Sequence, residues 1–271
     1  MDITGTIILS TIIVFLSTAI GSAFVFFFKK RPGDKLQAIA LGLAAGVMIA
    51  AAFFGLLNPS IEEANATMGE GLAWIPPLVG LFLGVGLLYL IDKLVPHIHI
   101  NTGEREGPEA PNLTNQFKFF LAVTIHNFPE GLVTGFSLGL ALSAYNAGNI
   151  EQAGVYAAGA LVLSIGIAIQ DIPEGMAISV PLYIDGMTRG KAFAFGVVSG
   201  IVEPIAAIIG MFLASALSGA MSYFLSFGAG AMLYVIIEDL VPQLSKKGVE
   251  HYGIWSFMIG LGFMMLLETL L

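Results

Sequence analysis

Eight stretches of this chain are apolar over lengths that only a lipid bilayer accommodates side by side. They run from Gly5 to Phe28, Lys35 to Leu57, Gly71 to Val95, Asn115 to Tyr145, Gln152 to Tyr183, Lys191 to Leu217, Ser222 to Val241 and Tyr252 to Leu271. A hydrocarbon core of roughly 30 Å needs about 20 helical residues, so each stretch is long enough to span it. Composition agrees, with 56% hydrophobic and 11% charged residues and a mean hydropathy of +0.87. The fold class expected is an all-α polytopic membrane protein with eight transmembrane helices in one domain, residues 1–271. The first stretch is too long for a signal-peptide core and its basic cluster follows it, so it is expected to stay as a mature helix. The absence of cysteine excludes disulfides and thiolate ligands.

The connections carry a one-sided charge pattern. All 11 Lys and Arg residues fall in or beside odd-numbered connections: Lys29, Lys30, Arg31 and Lys35; Lys93, Arg105 and Lys118; Arg189 and Lys191; Lys246 and Lys247. By the positive-inside rule these connections are cytoplasmic, which puts both termini outside the cytoplasm and the protein in the cell (inner) membrane. The opposite side holds Asp2, Glu62, Glu63, Glu70, Glu151 and Glu268 without a basic residue. Such a surface concentrates cations at an entrance, or simply keeps loops solvated. A net charge of −8 argues against nucleic acid as a partner.

Within the apolar runs two stretches read almost alike. HNFPEG, His126 to Gly131, and QDIPEG, Gln170 to Gly175, are offset by 44 residues. On a helix His126, Asn127 and Glu130 point to one side, and so do Gln170, Asp171 and Glu174. Pro129 and Pro173 remove an N–H and crowd the carbonyls of Ile125 and Ile169, so a kink is expected where the polar groups gather. A weaker repeat relates AAGVM, Ala44 to Met48, to GAGAM, Gly228 to Met232, at an offset of 184. The two copies run in opposite directions, so helices 1–3 and 6–8 are expected to form inverted repeats around a central hairpin of helices 4 and 5.

Glu130, Asp171, Glu174 and Glu203 are all intramembrane, with no basic residue inside a span to neutralise them. At about 2.5 to 3.5 kcal/mol each on insertion scales, they cost on the order of 10 kcal/mol. A bound cation offsets that cost, with His126, Asn127 and Gln170 as further ligands. Two other readings stay open: carboxyls hydrogen-bonded to one another, or a proton relay without metal. Carboxylate, imidazole and amide ligands without sulfur suit zinc-like divalent ions, among them iron, manganese and cadmium.

HNFPEG, QDIPEG and VEP at Val202 to Pro204 resemble the ZIP (Zrt/Irt-like) divalent metal transporters, and are most similar to their GufA-like bacterial branch. The resemblance covers essentially the whole chain. It implies a metal importer that uses no ATP and holds two ions inside the bundle, the cation being substrate rather than cofactor. Carried over by motif, His126, Glu130, Gln170 and Glu174 resemble the ligands of a first site and Asn127, Asp171 and Glu203 those of a second, with Glu130 and Glu174 bridging. Two departures stand out. Gln170 replaces a common histidine, which leaves metal preference open, and the cytoplasmic connection at about 96–114 lacks a long His-rich run, which argues against metal sensing there.

Other residues are candidates for the pathway. Met48 lies in AAGVM, where the resemblance suggests a lining of the outer approach, although a lone Met in a span also serves packing. His97 and His99 stand one residue apart in the long connection, which is expected to be mobile, as ligands or as solvated side chains. Glu238 and Asp239, near the cytoplasmic end of helix 7, receive metal on exit or pair with Lys246 and Lys247. The reading is a carrier, not an enzyme, moving zinc or a related divalent cation to the cytoplasm by alternating access. Its partners are the metal ion, the bilayer and, in a dimer, a second copy. A membrane-embedded di-metal hydrolase and a metal-selective channel are the alternatives.

Overall fold

The computed structural model describes residues 3–29, 33–69, 71–98, 105–110, 112, 115–184, 186–216, 218–244 and 248–270. Among them the chain forms eight helical rods. These are α1 (Ile3–Ala23); α2, Asp34–Met68, with a π-helical stretch at Ala51–Leu57; α3 (Ile75–Leu94); and α4 (Asn115–Asn146). They continue with α5 (Ile150–Ile184); α6, in two segments Arg189–Gly200 and Val202–Ala216; α7, Met221–Val235 continued by a π-helical Ile236–Leu240 and by Val241–Leu244; and α8 (Glu250–Leu270). Seven rods, all but α4, are long and apolar enough to cross a membrane. The thirty-two-residue α4 has the length, but Lys118, His126, Asn127 and Glu130 dilute its apolar character. The chain is a multi-pass membrane protein.

Local chemistry sets the rod ends. Pro76 and Pro77 open α3, where a missing N–H costs no helical bond. Thr188 caps α6, its Oγ1 accepting from the Lys191 N–H at 3.4 Å. Between α4 and α5 Gly148 takes φ +80, and Asn149 N–H reaches back to Ala144 C=O at 3.0 Å. That left-handed cap folds α4 and α5 into a hairpin with three intervening residues, 147–149.

The longest contacts run in four pairs: α1 along α5, α4 along α6, α2 along α8 and α3 along α7. Further contacts of α4 with α5 and α7, and of α2 with α5, draw the pairs together. Glycine permits the approach: a Cβ at Gly84 on α3 would overlap the backbone of Phe227 and Ala231 on α7. The side chains that fill the centre include Leu56, Phe136, Leu163, Met232 and Met264. Phe82, Phe212 and Trp255 stand 64%, 70% and 70% exposed, as side chains facing lipid do.

Three expectations from the sequence are revised. The second helix does not stop at Leu57 but continues to Met68, because Ser60 and Ser222 exchange hydrogen bonds at 2.7 and 2.8 Å and anchor the extension to α7. The sixth does not run unbroken from Lys191 to Leu217; it breaks at Ile201, since Pro204 has no N–H for the carbonyl of Gly200. The long connection between α3 and α4 holds a short antiparallel ladder, β1 (His97–Ile98) with β2 (Arg105–Glu106), and β1 packs on α4. Pro129 and Pro173, by contrast, lie inside helices that continue past them.

Candidate metal site

The two motif helices and the break in α6 bring acids together. Glu130 of α4, Asp171 of α5 and Glu203 of α6 each offer a carboxylate oxygen, and these three atoms lie within 4.8 Å of one another. Their exposures are 2%, 1% and 1%. Glu203 reaches the point because the interruption at Ile201 sets it in the first turn of the second α6 segment. Two like charges at that separation repel by about 3 to 4 kcal/mol if the effective dielectric constant is about 20. Three such pairs, added to the desolvation of each ion, favour a bound cation or proton strongly.

Hydrogen bonds fix the carboxylates on one side only. Gln170 Nε2 donates to Glu130 Oε1 across the α4–α5 contact. Ser17 Oγ lies 2.7 Å from Asp171 Oδ2, and Thr18 Oγ1 donates to Glu203 Oε1 at 2.9 Å, both from α1. The other oxygens, Glu130 Oε2, Asp171 Oδ1 and Glu203 Oε2, have no partner among the described residues, and neither do Gln170 Oε1 or the amide of Asn127. Asn127, Glu130, Gln170, Asp171 and Glu203 thus present buried, unsatisfied polar atoms, which native folds rarely tolerate without a ligand.

Glu174 and His126 are half-buried and stand outside the 4.8 Å grouping. Glu174 is still close enough for its charge to act on Glu130, Asp171 and Glu203. His126 precedes Asn127 on the same turn of α4. The donors Ser17 and Thr18 escape a reading of the sequence, because single hydroxyls in a span are common and nothing in their spacing marks these two.

The pathway candidates are dispersed. Met48 is buried in the hydrophobic core with Val47 and Ala51. His97 is neither solvated nor loosely placed: it is 1% exposed, with Nδ1 2.8 Å from Val95 O and Nε2 3.5 Å from Asp92 Oδ1. Asp92 is a buried acid that the sequence reading passed over, since four residues, the end of α3 and a bend, separate it from His97. Glu238 is half-buried and accepts the Tyr234 hydroxyl at 3.0 Å, four residues back on α7. Asp239 contributes backbone to the π-helical stretch, while its side chain and the whole of His99 lie outside the described residues.

Helical rods of membrane length that converge buried carboxylates from three helices define a multi-pass membrane protein with an acidic centre. The chain belongs to the ZIP zinc transporter family, whose model matches residues 4–116 and 152–268. QDIPEG and VEP fall inside the matched stretches and HNFPEG between them. The chain is 34% identical over 257 residues to the zinc transporter ZupT of Corynebacterium aurimucosum, covering 92% of this chain and 91% of that one. It is 32% identical over 258 residues to the zinc transporter ZIPB of Bordetella bronchiseptica, with 95% and 78% covered. It is 31% identical over 330 residues to the human zinc transporter ZIP11, with 97% and 96% covered.

Proposed function

We propose that this chain carries zinc or a related divalent cation, such as cadmium, iron or manganese, across the membrane toward the cytoplasm by alternating access. The carrying observation is the meeting of Glu130, Asp171 and Glu203 within 4.8 Å in the bundle interior. Family membership supports divalent metal transport, and the cation is the substrate. In this reading two ions bind. His126, Glu130, Gln170 and Glu174 hold the first, Asn127, Asp171 and Glu203 the second, and Glu130 and Glu174 serve both. Four carboxylates carry a formal charge that two divalent ions neutralise and one does not.

The direction rests on the one-sided Lys and Arg residues, which place both termini outside the cytoplasm with all eight rods crossing an inner membrane. Met48 then lines the outer approach, and His97, His99, Glu238 and Asp239 lie on the way out. Inverted repeats supply the two access states. Supporting them, Gly46 and Gly230, 184 positions apart, lie against the carbonyls of Phe257 and Leu81, which are 176 apart; Gly260 and Gly84, also 176 apart, lie against Leu43 and Phe227, also 184 apart. The π-helical stretches Ala51–Leu57 and Ile236–Leu240 overlap under the same offset of 184. Two copies pairing into a homodimer are compatible with this arrangement.

Purified protein in vesicles loaded with a metal-sensitive dye tests the reading. Saturable zinc uptake is the expected result. Linear, non-saturating flux would identify a channel instead, and zinc-dependent hydrolysis without uptake a di-metal hydrolase.

A further inference from the structure

A serine or threonine hydroxyl inside a helix has a ready acceptor in the carbonyl three or four residues back. Several in this bundle take it: Thr11 donates to Ile7 O at 2.8 Å, Thr124 to Phe120 O at 2.7 Å, Thr134 to Glu130 O at 3.1 Å and Ser164 to Ala160 O at 2.7 Å. Thr18 departs from the habit and gives its proton to Glu203 Oε1 on another helix. Its neighbour Ser17 is divided, with Val14 O at 2.6 Å and Asp171 Oδ2 at 2.7 Å competing for one proton. Thr18 is therefore the more committed donor.

A carboxylate turns easily about its last torsion unless something holds one oxygen. Thr18 holds Glu203 Oε1, leaving Oε2 without a partner among the described residues, on a carboxylate that belongs to the three-acid cluster. Thr18 and Glu203 are each 1% exposed, so water does not compete for this bond. The glycines closing the two motifs show how the contact arises. Gly131 lies against the Glu203 carbonyl and Gly175, 44 positions later, against that of Thr18. The repeat thus sets a hydroxyl on α1 where α6 carries the acid, and the two side chains meet.

We infer that Thr18 is a positioning residue for the second ion, pinning Glu203 so that one chosen oxygen of that carboxylate faces the metal. Ser17 acts likewise on Asp171, less strongly. Thr18 does not touch the ion. The inference rests on the two-ion reading proposed above. Loss of a partner that orients a metal ligand weakens metal affinity about 10- to 100-fold, and that sets the size of the effect.

Thr18→Val removes the hydroxyl at nearly constant shape, and Thr18→Ser keeps it. Zinc is titrated into the purified full chain and bound metal is read by elemental analysis. Thr18→Val is expected to weaken the second ion about 10- to 100-fold, so that at zinc just saturating the unmodified chain its content falls from about two ions toward one while the first ion's affinity holds. Thr18→Ser is expected to keep both ions. Wild-type affinity for both ions in Thr18→Val overturns the inference. An equal loss in Thr18→Ser overturns it too, because the Thr18 methyl, packed near Gly200, would then be what matters. An unmodified chain holding one ion or none defeats the two-ion reading itself, a failure read from a different sample. An unchanged thermal midpoint of metal-free Thr18→Val verifies that the variant is folded.

Discussion

Glu130 receives Gln170 on one oxygen, its other oxygen has no partner among the described residues, and its carboxylate belongs to the 4.8 Å grouping with Asp171 and Glu203. In the bridging reading its removal strips a ligand from both ions. Glu130→Ala is expected to abolish saturable zinc uptake in vesicles. It is also expected to raise the thermal midpoint of the metal-free protein, because a buried, uncompensated charge is gone. The same scan with saturating zinc should lift the unmodified protein, by about 2.7 kcal/mol at one hundred times the dissociation constant, and leave Glu130→Ala nearly unmoved. In the same reading Glu203→Gln touches only the second ion. It should lower bound metal from about two ions per chain toward one and reduce uptake less than Glu130→Ala does. Two ions retained in Glu203→Gln would contradict the ligand assignment.

At the scale of helices, stability depends on backbones that nearly touch. Without water to drive apolar surfaces together inside a bilayer, close packing of small residues supplies much of the association. Gly84 and Gly86 sit two residues apart on α3 and differ in what surrounds them. A Cβ at Gly84 meets the backbone of α7, while at Gly86 it meets nothing within 4 Å. Gly84→Leu is expected to cost at least about 1–3 kcal/mol and to lower the yield of folded protein. Gly86→Leu should be close to neutral in the same thermal assay. If the α2–α8 contact repeats the α7–α3 contact, Gly260→Leu, which on α8 meets the backbone of Leu43, will behave like Gly84→Leu. A neutral Gly260→Leu beside a damaging Gly84→Leu would separate the two interfaces and count against the repeat.

For the whole molecule the expectation concerns orientation. The chain has no cysteine, so a single introduced thiol reports its own side of the membrane. Glu62→Cys, exposed on the extension of α2, should react with an impermeant thiol reagent applied to intact cells. Glu109→Cys, exposed in the connection between α3 and α4, should react only after permeabilisation. The reverse pattern would invert the assigned direction of transport.

Much of this architecture was already legible in the chain, because lipid makes the relevant energies local. An apolar run of membrane length must close its own backbone hydrogen bonds as a helix, so positions of the rods follow from composition alone. Uncompensated acids inside such runs stand out for the same reason, and Glu130, Asp171 and Glu203 are three of the four that the chain marks in this way. Tertiary structure decided what depends on how helices cross. It joined those three carboxylates at one point, turned Thr18 and Ser17 of α1 toward Glu203 and Asp171, and buried His97 against Asp92. It also extended α2 through Ser60 and Ser222, residues 162 positions apart. None of these contacts has a sequence period. A helix fixes which side chains share a face, but the oxygen each side chain presents is set by a neighbour whose register along the contact no single segment encodes.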